Sequence, residues 1–83
     1  MTITVRLRYL ARYAELLGVE VEELAVPSSA TVGDVVAAVR TRHPAASQLP
    51  AKPLCSVNLR QALWGDPVNQ GDEVALLPPV AGG

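Results

Sequence analysis

The hydrophobic period of this chain changes within its first seventeen residues, and that change limits the architectures open to it. Thr2–Arg8 alternates, with Ile3, Val5 and Leu7 facing one way and Thr4, Arg6 and Arg8 the other. Period two with β-branched residues predicts a half-buried strand. Leu10, Tyr13, Ala14 and Leu17 then fall at helical spacing, and Gly18 is a natural stop. Val19–Val26 returns to strand character, with a phase slip at Glu22-Glu23 that reads as a bulge.

A second helix is announced by its ends. Thr31 is placed to cap and Asp34 to complete a capping box, while Val32, Val35, Val36 and Val39 form one apolar face. Arg40, Arg42 and His43 crowd the last turn, where cations suit the exposed carbonyls, and Pro44 ends the helix. Ala45–Pro53 reads as a loop. Leu54–Leu59 reads as a third strand with Cys55, Val57 and Leu59 on one face, and Gln61–Leu63 as a short fourth. Turns follow at Trp64–Pro67 and Asn69–Asp72, then a last strand at Glu73–Leu77. This order predicts an α+β fold, a mixed sheet with helices packed on one face. Residues 1–77 form the domain and 78–83 an extended tail.

Composition narrows the function. The net charge of −1 argues against a nucleic-acid or anionic-membrane surface, which needs an excess of Lys and Arg. A lone Cys leaves no disulfide framework or cysteine zinc site. No apolar run approaches the ~20 residues of a membrane span. Arg6, Arg8 and Arg12 interrupt any signal-peptide core, so a cytoplasmic protein is expected.

The sequence carries no Gly-rich phosphate loop and no metal-ligand cluster. Cys55 and His43 could nominally pair as nucleophile and base, but Cys55 lies mid-strand among apolar residues, the setting of an inert thiol. The tail is more informative. Pro78-Pro79 favours an extended start and blocks a further central strand, and the six residues reach on the order of 20 Å. Val80 and Ala81 lead to Gly82 and Gly83, which have no side chains, so the end can thread a narrow channel. A carboxylate there becomes electrophilic once adenylated. The chain has no ATP site, so another enzyme must perform that step, and no cofactor or metal bound by this chain is expected.

Gly71-Asp72-Glu73-Val74-Ala75-Leu76-Leu77-Pro78-Pro79-Val80-Ala81-Gly82-Gly83 resembles the C-terminal signature of the MoaD/ThiS sulfur carriers, and the Pro-Pro pair leans towards MoaD, the small subunit of molybdopterin synthase. Glu15-Leu16-Leu17-Gly18, the Thr31–Arg42 helix and Val57-Asn58 extend the likeness along the chain. The resemblance implies a ubiquitin-like β-grasp fold. It also implies an ATP- and Mg-using adenylyltransferase related to ubiquitin-activating enzymes, a sulfur donor that converts Gly83 to a thiocarboxylate, and a MoaE-type large subunit. That large subunit would supply the catalytic groups for dithiolene formation, so this chain is not catalytic alone. Family members often have aromatic residues where this chain has Tyr9-Leu10 and Leu76-Leu77; Leu10 and Leu77 keep the apolar character of a partner patch, core and contact standing equal for Leu10 and contact being the favoured reading for Leu77. A carrier for thiazole (thiamine) or cysteine synthesis, a ubiquitin-like modifier of lysines, and an interaction domain with an incidental Gly-Gly remain open.

Overall fold

A computed structural model describes residues 1–79. Five strands and two helices follow in the order β1 (Thr2–Tyr9), α1 (Arg12–Leu17), β2 (Val21–Pro27), α2 (Val32–Arg42), β3 (Leu54–Val57), β4 (Arg60–Ala62) and β5 (Glu73–Leu77). A 3₁₀ helix, Pro44–Gln48, lies between α2 and β3. The sheet order is β2-β1-β5-β3-β4. β1 runs parallel to β5, and the other pairs are antiparallel. The last strand therefore occupies the centre of the sheet, and the chain leaves the fold from its middle.

The alternation expected from β1 holds. Val5, Leu7 and Tyr9 are buried and Arg6 and Arg8 point to the other face. In β5, Val74 and Leu76 are fully buried on the core side. Val32, Val35, Val36 and Val39 of α2 close over them with Leu24 and Val26 of β2. All of these residues belong to one apolar core, the dominant stabilising contribution in a domain this small. The capping box of α2 is complete: Asp34 N donates to Thr31 Oγ1 (3.3 Å) and Thr31 N donates to Asp34 Oδ2 (2.9 Å). Such a cap contributes about 1 kcal/mol.

Gly33, in the first turn of α2, admits the Trp64 indole so closely that a Cβ there would lie 2.5 Å from Trp64 Nε1. Gly33 N also donates to the Trp64 carbonyl at 2.9 Å. The turn after β4 is thereby fastened to the start of the helix.

Four local expectations are corrected. β2 pairs with β1 in unbroken register from Thr2↔Pro27 to Arg8↔Val21, with no bulge at Glu22-Glu23. The slip seen in the sequence is instead a carboxylate, Glu22, at a core-side position alongside Leu24 and Val26. The segment read as a plain loop contains the 3₁₀ helix, which buries Ala46, with Leu49 buried just beyond it. Leu10 precedes α1 rather than lying on it, because Ala11 at φ 51° breaks the chain between β1 and the helix. β3 stops at Val57, so Leu59 does not share the buried face of Cys55.

Glu22 is held by three partners. Tyr9 Oη donates to its Oε2 at 2.6 Å, His43 Nε2 lies 2.5 Å from the same oxygen, and Arg42 Nε is 3.3 Å from Oε1. Burial alone would raise the carboxyl pKa, but the hydrogen bonds from Tyr9 and His43 and the nearby cations outweigh it and hold the value below the ordinary 4.5. The same burial, reinforced by the carboxylate, pushes the Tyr9 hydroxyl up, so it stays a donor. His43, expected as a helix-end cation, thus ties the end of α2 to β2.

Candidate functional site

The sheet face opposite α2 carries the outward residues of the central strands. On β1 and β5, Arg8 Nε lies 3.3 Å from Glu73 Oε1 and Arg6 Nε 3.9 Å from Glu73 Oε2. These pairs are part-exposed and contribute at most about 1 kcal/mol each; their effect is to leave a charged border. Beyond them the face turns apolar. Leu77 and Ala75 of β5, Leu54 of β3, Leu10 and Leu59 line an open groove of about 680 Å³, together with Arg8, Glu73, Gln61 and Pro78.

Three of those residues reach the groove by different local routes. Leu77 pairs with Leu54 at the last rung of β5 and β3. Leu10 is held beside them because its N–H donates to the Leu76 carbonyl at 3.3 Å. Leu59 comes from the β3–β4 hairpin, where Val57 pairs with Arg60 and only Asn58 and Leu59 lie between. Both have positive φ, 51° and 72°, the signature of a type I′ turn that normally takes Asn-Gly. A leucine there is strained, and it is also 89% exposed. The strain opposes folding, and at that exposure little packing within the chain offsets it.

Leu10 and Leu77 are half-buried and stand outside the apolar core cluster. They are therefore groove residues, not core residues. Leu59 and the 46%-exposed Leu54 join them and were not singled out from the sequence, where an apolar residue next to a strand reads as more strand. The Asn58-Leu59 pair before Arg60 was the available signal for a turn.

Pro78 lines the groove directly after β5, so the chain enters its tail at the groove's edge. Pro79 is exposed. Val80, Ala81, Gly82 and Gly83 lie outside the described residues. Cys55 is buried, its Sγ donating to the Pro53 carbonyl at 3.4 Å, and burial pushes the thiol up to about 11. With His43 engaged on Glu22, the nominal Cys–His pair does not form. Among the described residues, no three of His, Cys, Asp and Glu come together as metal ligands, and no helix is long and apolar enough to cross a membrane.

The model of the ThiS family matches residues 7–83. The chain belongs to that family. Its fold is accordingly the ubiquitin-like β-grasp. Within the family, the human molybdopterin synthase sulfur carrier subunit is 30% identical over 82 residues, covering 95% of this chain and 93% of that protein. The crystal structure of SAMP1 from Haloferax volcanii superposes with a TM-score of 0.85 at 32% identity, covering 96% of this chain and 99% of that one. The small archaeal modifier protein 1 of Methanosarcina acetivorans, at 20% identity and a TM-score of 0.82 over 100% and 99% of the two chains, shares the fold.

Proposed function

We propose that this ThiS-family chain is the sulfur-carrier small subunit of a molybdopterin synthase, acting through the carboxylate of Gly83. The observation that carries the reading is the exit of the central strand. β5 ends at Leu77 inside an open apolar groove, and the chain passes straight into Pro78-Pro79. A partner seated on the groove would receive the tail in a fixed direction. The groove is the docking face for a MoaE-type large subunit and for a cytoplasmic adenylyltransferase related to ubiquitin-activating enzymes, with Leu10, Leu54, Leu59 and Leu77 as its anchors.

The adenylyltransferase, using ATP and Mg, joins the Gly83 carboxylate to AMP and releases pyrophosphate. A sulfur donor then displaces AMP to leave a thiocarboxylate. Pro78 to Gly82 carry that group into the large subunit, whose own residues transfer the sulfur into the dithiolene. The human relative's name supports this pathway. A second reading, a ubiquitin-like modifier that acylates lysines, is supported by the likeness to SAMP1.

The test is intact-mass measurement after incubation with the adenylyltransferase, ATP-Mg and sulfide. One oxygen is replaced by sulfur in the wild type, and deletion of Gly83 abolishes the change while leaving the melting temperature unaltered. An unchanged wild-type mass, with an enzyme that loads another carrier in parallel, refutes the proposal. A stable complex with the large subunit supports the synthase reading; lysine-linked adducts in cells without such a complex support the modifier.

A further inference from the structure

Any activated Gly83 must coexist with the amine and thiol side chains of its own chain, and these are few. The sequence has one Lys, Lys52, against six Arg, and one Cys. Guanidinium groups stay protonated and do not compete for an acyl group. Cys55 is buried with its thiol pushed up to about 11, so almost no thiolate is offered to a neighbouring molecule.

Lys52 is the opposite case. It is exposed in the short segment between the 3₁₀ helix and β3. Both sides of that segment are pinned. Arg40 donates from Nη2 to the carbonyls of Pro50 and Ala51, the latter at 3.2 Å. Pro53 is buried, and its carbonyl accepts from Cys55 Sγ. The lysine therefore stands outward between two fixed points, with its amine on a flexible four-carbon stem. The other amine, at Met1, sits on the backbone itself, where the Met1 carbonyl accepts from Ser28 N at 3.0 Å. A tail end activated inside a narrow channel is reached more readily by a thin stem than by a backbone amine carrying its own side chain.

We infer that Lys52 is the homotypic acceptor of this protein, the position at which the activated tail of one copy acylates another. This rests on the activation of Gly83 proposed above. In the step, the unprotonated ε-amine of Lys52 attacks the carbonyl carbon of the Gly83 adenylate. A C–N bond forms, the C–O bond to the phosphate breaks, AMP leaves with the electron pair, and the amine's proton passes to solvent. The product is an isopeptide-linked dimer of mass equal to two chains less one water. A sulfur donor competes by consuming the same adenylate, so the dimer accumulates when sulfur is scarce.

The experiment incubates the full chain with its adenylyltransferase and ATP-Mg, with and without sulfide, and follows pyrophosphate release, denaturing gels and tryptic peptides. The expected result is a covalent dimer that sulfide suppresses. Its digest should contain peptide 43–60 bearing 61–83 on Lys52, since trypsin cuts after Arg42 and Arg60. Lys52→Arg should abolish the dimer while preserving circular dichroism and pyrophosphate release. Pyrophosphate release with no dimer, a dimer linked through Met1, a monomer lighter by one water, or a dimer that persists in Lys52→Arg each overturns the inference and leaves the activation reading standing. Absence of pyrophosphate release, with an enzyme active on another carrier, overturns both.

Discussion

Replacing Leu59 by Gly should move stability and binding in opposite directions. Leu59 holds φ at 72° in a two-residue hairpin loop. For a residue with a Cβ, the left-handed region costs about 1–2 kcal/mol, which Gly avoids. Gly gives back about 0.4–1 kcal/mol through the greater freedom of the unfolded chain. Because Leu59 is 89% exposed, little folded-state packing is lost, and the substitution creates the Asn-Gly pair that a type I′ turn prefers. The net gain lies between about 0 and 1.6 kcal/mol, and at its midpoint of about 0.8 kcal/mol the melting temperature rises by roughly 3–6 °C for a domain of this size. Binding should weaken, since burial of a leucine side chain at an interface contributes about 1.5–3 kcal/mol, or about 10- to 100-fold in Kd. Thermal melts by circular dichroism and calorimetric titration into the large subunit read the two effects. Leu59→Ala is the control: it keeps the strained backbone, so affinity falls with little change in melting temperature. A lowered melting temperature for Leu59→Gly, or unchanged affinity for both variants, would refute the assignment of Leu59 as a strained contact residue.

Two further perturbations test the fold that presents the groove. Gly33→Ala should destabilise the protein by about 1–3 kcal/mol through overpacking, although alanine is the better helix former by about 1 kcal/mol; urea unfolding midpoints decide the sign, and a stabilised variant would show that Trp64 gives way freely. Glu22 has its folded-state pKa lowered, so its contribution is present above the ordinary 4.5 and is lost as pH falls through the folded value. Urea midpoints measured from pH 7 to pH 3 should therefore fall less steeply for Glu22→Gln than for the wild type, and parallel curves would contradict the linkage.

Much of the architecture was legible because local and tertiary demands agree. The β1 alternation, the four valines of α2, its Thr31–Asp34 cap and the Glu73–Leu77 strand each appear where the sequence pattern puts them. The failures fall where one residue answers to a distant partner. Glu22 broke the alternation of β2 in the sequence, yet the strand runs straight, because Tyr9, His43 and Arg42 make a carboxylate acceptable on the core side. Leu59 prolonged an apolar pattern that the backbone ends two residues earlier. Leu10 completed a helical stripe from which the positive φ of Ala11 removes it.

The candidate site divides along the same line. Local sequence marked the terminal segment, Pro78 to Gly83, because stiffness and bareness are properties of the residues themselves. It also nominated Leu77, with contact favoured over core, and Leu10, with the two readings level. Only the tertiary structure placed both, since the parallel pairing of β1 with β5 brings residues 10 and 77 together with Leu54 and Leu59 on the face opposite α2. A sequence pattern reports how each segment alternates. Which of a sheet's two faces receives the helices depends on all the strands at once.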